Sequence, residues 1–373
     1  MARVYLDHAS SSPLRPSAFE AMVPYLREHF ADPGRVHSDG RVTRVAIESA
    51  REQVAAFVGA RPREVVFTSG GTESVNTAIY GAVRKDPART GVVTTAVEHS
   101  SVLDACRREA GPVVTVGVDA HGRIDPAGVL AAVSESTGLV SVQLANHEVG
   151  TFQPVAAIIE GAHADGALVH VDACAAIGYA PVDFAAIDAD LLSLAAHTWG
   201  GPKGVGALVI RRGLRIAPFV VGGAQERARR AGIENVPAIV GFGAAAQAHE
   251  SSEYSDGAAH TDRIRSGLAA AVTGITWYGH PTDRLGNLVC FGVDGVEAEP
   301  ILLGLDQQGI AVHSGSACSS ESLEPSPVLA AMGAAADQSL RVSVGWNTTD
   351  DDVDRLLAVL PGIIDRMRGL GTP

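Results

Sequence analysis

The 373-residue chain is 46% hydrophobic, enough to bury a large core, and its length suggests two domains rather than one. A formal net charge of -13 argues against general nucleic-acid binding, because a phosphate backbone demands a positive face. No apolar run reaches the roughly 18 residues of a membrane span, and the opening "MARVYLDHASSSPL" lacks the basic-then-apolar layout of a secretory signal, so a cytoplasmic protein is expected.

A short N-terminal segment, 1–15, precedes a helix over about 17–30. From about residue 64, short apolar runs alternate with amphipathic stretches. "EVVFT" (64–68), "GVVTTAV" (91–97), "VVTVGV" (113–118), "GLVSVQLA" (138–145), "ALVHVD" (167–172), "DLLSLAA" (190–196) and "GVGALVI" (204–210) read as buried strands. Helical patterns such as "TESVNTAIYGAVRK" and "PAGVLAAVSES" separate most of the earlier ones. Strand and helix in alternation imply an α/β fold with a mostly parallel sheet, here a large domain over 16–250. After "NVPAIVGFGAAAQAHESSEY" the pattern changes to "GITWYGH", "LGNLVCFGV", the helix "AEPILLGLDQQG", the strand "SLRVSV" and a last helix over about 349–369. This predicts a smaller α+β domain over 251–373, with helix 17–30 packing against it.

Ligands of an open α/β sheet sit at the carboxyl ends of its strands, so the loops at 69–76, 98–101, 146–150, 172–176 and 197–201 are expected to converge. In "TSGGTESVN" two glycines and hydroxyl residues stand between a strand and a helix N-terminus, where free N–H groups favour an anion. His99 in "EHSSVLDAC" precedes a helix, and Asp172 in "HVDACAAIG" closes a buried strand, where an unpaired carboxylate is costly. The four cysteines, Cys106, Cys174, Cys290 and Cys318, show no CxxC pairing or zinc-ligand spacing and are expected as free thiols, with no metal site. Arginines gather at 211–230, as a solvated face does. Lysine occurs only at Lys85 and Lys203.

Taken together, in this order and spacing, "YLDHASSSP", "FTSGGTESVN", "EHSSVLDAC", "ANHEVGT", "HVDACAAIG", "AAHTWGGPKGVGAL", "GGAQERARRAGIENVPAIVG", "SGSACSSESLEPS" and "LRVSVG" resemble the cysteine desulfurases of the class V aminotransferase group. Those are pyridoxal phosphate (PLP) enzymes of fold type I. The resemblance covers nearly the whole chain and implies a homodimer, a large domain with a seven-stranded sheet and a small C-terminal domain. It also implies an activity, the transfer of cysteine sulfur to an enzyme cysteine as a persulfide with release of alanine. Carried over residue by residue, Thr72 and His197 would meet the cofactor phosphate, and His99 would stack on the ring and move protons. Asp172 would hold the ring nitrogen protonated, Arg341 would grip the substrate carboxylate, and Cys318 would accept the sulfur.

One position departs decisively. The family's Ser-Gly-His-Lys, whose lysine holds PLP as a Schiff base, reads Ala195-Ala196-His197-Thr198 here, and threonine has no amine. Lys203 does not obviously replace it. Ala195, Ala175, His147 and Ile233 stand where the family has a serine, a glutamine, an asparagine and a threonine that contact the cofactor. Three readings stay open. The chain is a relative that has given up PLP chemistry and keeps the fold, the dimer and Cys318 for another task, whether persulfide carriage, pairing with a sulfur donor, a sulfur acceptor or an active desulfurase, or a PLP-independent reaction in the old pocket; or it binds PLP without covalent attachment and still desulfurates cysteine; or it is an engineered lysine variant.

Overall fold

The computed structural model describes residues 3–250, 252–314 and 326–370. Strand β1 (Val4–Tyr5) comes first, followed by helices α1 (Pro16–Arg27) and α2 (Ser38–Phe57). Pro16 opens α1, where its missing N–H costs nothing. His37 caps α2 by accepting from the N–H of Gly40.

Seven strands then build the large sheet: β2 (Val65–Thr68), β3 (Gly91–Thr95), β4 (Val113–Val116), β5 (Thr137–Gln143), β6 (Leu168–Asp172), β7 (Leu191–Ala195) and β8 (Gly206–Ile210). Each arises from one of the seven apolar runs. Helix α3 (Gly71–Val83) follows β2 directly. The sheet order is β2-β8-β7-β6-β5-β3-β4. Strands β3 to β7 pair in parallel, and β8 runs antiparallel to both of its neighbours. Every residue of β2, β3, β5, β7 and β8 is buried, as a sheet covered on both faces requires. This is the α/β, PLP fold type I architecture that the resemblance implied.

The smaller unit holds β9 (Ile275–Tyr278), β10 (Leu288–Val293), β11 (Ile310–Ala311), β12 (His313–Ser314) and β13 (Ser339–Ser343). Four of them form an antiparallel sheet ordered β12-β13-β10-β9, and β11 pairs in parallel with β1. The first residues of the chain therefore join this unit, and Leu6 lies in its core with Phe291 and Leu360. Helix α1 does not follow them. It lies along the helix Val236–Ala248 and buries Ala18 in the larger core, which corrects the expected packing of helix 17–30 on the small domain. The reason is that Val236–Ala248 is apolar nearly all round and needs a cover on its outer side.

A buried ion pair ties the segment 224–231 to the sheet. Both Nη atoms of Arg51, on α2, donate to Glu226 at 2.7 Å, and Glu226 also accepts from the backbone N–H of Phe67 at 2.9 Å. Reaching that position requires left-handed backbone at three successive residues without glycine: Glu226, Arg227 and Ala228 have φ of 46°, 60° and 62°. Such a conformation costs an L-residue roughly 1–2 kcal/mol. Ala228→Gly is accordingly expected to raise the unfolding free energy by about 1 kcal/mol in urea titrations. Arg51→Met, which strands the Glu226 carboxylate, is expected to lower it by about 3–5 kcal/mol.

Candidate functional site

Strands β3, β5, β6 and β7 share one direction, and β2 shares it too, because two antiparallel pairings through β8 restore it. Their carboxyl ends therefore face one side. The five loops expected to converge there do so, around a cavity of about 210 Å³ lined by Thr72, His99, His147, Asp172, His197, Thr198 and Arg341, together with Ser10, Gly71, Ser101, Gln143, Cys174, Ala175 and Ala195. Cys318 lies outside the described residues.

At one end stands the N-terminus of α3. Gly70 is favoured by its backbone, with φ 156°, whereas Gly71 is required by close approach, since a Cβ there would lie 2.6 Å from Sγ of Cys174. Thr72 is exposed at the mouth, and the helix offers unpaired N–H groups and the positive end of its dipole. Across from it, His197 is kept neutral: burial first, then the charge of Lys203, pull its pKa below the ordinary imidazole value. Thr198 is buried, and its hydroxyl donates to the carbonyl of Cys174 at 3.4 Å. Its own carbonyl is held by the hydroxyls of Ser12, at 2.6 Å, and Tyr179, which fixes this turn from below.

On the other side, His99 caps the helix Ser100–Glu109, its Nδ1 accepting from the N–H of Ser101 at 3.1 Å. That acceptor role leaves the proton on Nε2. His147 meets its ring edge to face, with centroids 5.2 Å apart. Asp172 accepts from the N–H of Cys174 at 3.0 Å. Burial, and after it the Asp172 carboxylate, push the Cys174 thiol well above its ordinary range, so this cysteine rests protonated.

Arg341, on β13, crosses from the small unit into the cavity. It donates to Asp7 at 3.0 Å, to Ser10 at 2.7 Å and to the carbonyl of His147 at 3.1 Å, while its buried Nε has no partner. Two further buried groups stand behind Asp172. Gln143 pairs with Asp172 in the β5–β6 register, and its Nε2 has no partner. Glu98 accepts from Thr95 at 2.5 Å and from the N–H of Gln143 at 3.1 Å, and burial raises its pKa to about 8. Sequence reasoning passed over both. Gln143 was detectable in principle, since alternation along β5 places it on the face of Asp172; Glu98 gave no signal beyond its proximity to His99.

The family model for aminotransferase class-V matches residues 4–356. The chain belongs to this family. It is 43% identical to the cysteine desulfurase of Cereibacter sphaeroides over 99% of its own length and 98% of that protein, and 41% identical to the cysteine desulfurase IscS of Methanosarcina thermophila over 98% and 93%. Among solved structures it resembles a NifS-like protein with a TM-score of 0.89 and 31% identity, covering 98% of this chain and all of the other. The apo cysteine desulfurase of Thermococcus onnurineus NA1 matches with a TM-score of 0.87 at 25% identity, covering 98% of this chain and 95% of that one. The cysteine desulfurase likeness thus runs over the full chain.

The family is PLP-dependent, so the cavity can be tested against that group. The N-terminus of α3, Thr72 and His197 suit a phosphate, and Asp172 suits a protonated ring nitrogen. The cavity offers no amine, however: no lysine is among its described lining residues, and Lys203 is exposed on the turn beyond. Ala175 and Ala195 bring no hydrogen-bond donor in their side chains. The residues present do not fit PLP held through a lysine.

Glu98 supplies a pH test of this geometry. The folded state keeps a proton up to about pH 8 that an unfolded glutamic acid releases near its ordinary value, so stability falls as pH rises through that window and levels off above it. Glu98→Gln is permanently neutral. Its stability relative to the parent is expected to rise progressively between pH 5 and 8 in urea titrations; a constant difference would show that Glu98 is not held neutral.

Proposed function

We propose that this protein is a divergent cysteine desulfurase relative that does not carry out lysine-dependent PLP catalysis and retains Cys318 to handle sulfur as a persulfide. The observation that supports the reading is the cavity lining, which includes Thr198, Ala175 and Ala195 and, among the described residues, no lysine; the resemblance puts the family's attachment and cofactor contacts at these three positions. Thr198 sits buried between Cys174 and the Ser12–Tyr179 anchor, with no amine to form an imine or to move the proton of a substrate's α-carbon. In this role, the Cys318 thiolate attacks the outer sulfur of a persulfide donor, a new S–S bond forms, and the donor leaves as its thiol. No oxidant is consumed. An acceptor protein discharges the sulfur by the same exchange.

The protein acts as a homodimer in the cytoplasm in this reading. Support for a second copy comes from Phe19, Leu26, Val42 and Val45, large apolar side chains left exposed on α1 and α2, beside a groove of about 830 Å³ between those helices and Val236–Ala248. A second reading draws on the intact anion end and on Asp172: PLP bound without covalent attachment, with His99 or His147 as the base, and alanine released from L-cysteine.

One experiment separates the two. Purified protein incubated with PLP and desalted is expected to show no stoichiometric cofactor absorbance, no cofactor fixed by borohydride and no alanine from L-cysteine. With glutathione persulfide, intact-mass analysis is expected to show one added sulfur, lost in Cys318→Ser. A stoichiometric cofactor band with alanine formation would establish the second reading, and persulfide loading unchanged in Cys318→Ser would remove Cys318 from the mechanism.

A further inference from the structure

We propose that a separate binding site for a compact oligophosphate lies at the opposite end of the large sheet. Where β8 ends and β2 begins, a pocket of about 620 Å³ is bounded by Arg61, Arg63, Arg211, Arg212 and Arg229. An adjoining hollow of about 240 Å³ shares Arg61, Arg211 and Arg212. The cavity of Thr198 opens at the other end of β2, roughly 13 Å away along the strand at 3.3 Å per residue. The two cavities share no residue, so this inference stands independently of the proposed function.

Arg61, Arg63 and Arg212 are exposed, and none of their guanidinium groups has a partner among the described residues. Arg211 is tied to Asp188 at 2.8 Å and to Asp190 at 3.1 Å, and Arg229 donates to the carbonyl of Arg63 at 2.8 Å. One acid, Glu64, lines the pocket among the described residues, and its carboxylate accepts from the backbone N–H groups of Arg61, at 2.8 Å, and Arg212, at 3.0 Å. Glu64 thereby locks the two arginine-bearing turns together. It offsets one positive charge and leaves the three free guanidinium groups without a counter-ion.

Three planar, permanently charged forks around a concavity suit a ligand with several phosphate oxygens, each fork donating to two of them in parallel. The volume falls in the range of small-molecule sites. The net charge of -13 disfavours an extended polyanion. Pro62 and Leu214 add apolar wall beside the charges. A nucleoside triphosphate and inorganic tripolyphosphate share the recognised chemistry.

Titration calorimetry on the full chain tests this with tripolyphosphate, ATP and adenosine. Tripolyphosphate is expected to bind once per chain, more weakly as salt rises, while adenosine gives no heat. Arg61→Ala and Arg212→Ala, at exposed positions without protein partners, are each expected to weaken binding about tenfold or more with unchanged thermal stability. ATP binding more tightly than tripolyphosphate would assign the site to a nucleotide, and equal affinities would assign it to the phosphate chain alone. No binding, an affinity unchanged in the Arg61→Ala/Arg212→Ala double variant, or tighter binding of a polyglutamate peptide than of tripolyphosphate would overturn the proposal.

Discussion

The shared direction of β2, β3, β5, β6 and β7 is the constraint on which the rest of the structure depends. Parallel strands need crossovers, the crossovers place helices over both faces, and the strand ends are the edge of the sheet left open. Five of the loops that line the cavity leave the sheet at that edge, so residues more than a hundred positions apart, such as Thr72 and His197, come to face each other. The antiparallel strand β8 is what lets β2 join them: it returns the chain and brings the N-terminus of α3 beside the end of β7.

Polar burial around the cavity is arranged in two layers with different consequences. The outer layer is well satisfied: Asp172, Thr198 and His99 each have a backbone or hydroxyl partner that fixes their orientation. The inner layer is not, since Gln143, Glu98 and Arg341 each keep one buried polar atom without a partner. Leaving a buried polar group unmatched costs roughly 1–3 kcal/mol, and such costs persist mainly where a ligand or a function offsets them. Arg341 is the clearest case, because Asp7, Ser10 and the His147 carbonyl hold its two Nη groups while Nε stays unmatched.

Charge is distributed as unevenly as polarity. The acidic balance of the chain makes the arginine ring at the far end of the sheet a local exception, maintained by Glu64 bonding to backbone rather than to guanidinium. The strained turn at Glu226–Ala228 belongs to the same region, since the Arg51–Glu226 pair anchors the segment from which Arg229 projects. A buried, bidentate pair of this kind is costly to break from one side, which is how it holds unfavourable backbone in place.

The seven apolar runs and their separation by amphipathic helices determined the α/β fold, because hydrophobic periodicity is a local property that the chain carries with it. Local signals also identified the glycines at 70–71, the strand-ending Asp172 and the helix-capping His99, and the spacing of the whole set carried the family. What only the tertiary structure decided depends on residues distant in sequence. Helix α1 chose the larger core because the helix Val236–Ala248 presented an uncovered apolar side. Gln143 and Glu98 became part of the site because strand register placed them behind Asp172. Arg212, in the stretch 211–230 read as a solvated face in the sequence, joins Arg61 and Arg63 around a pocket because β2 begins where β8 ends. Pairing between strands about 140 residues apart is set by packing and loop closure over the whole domain, and no window of the sequence contains it.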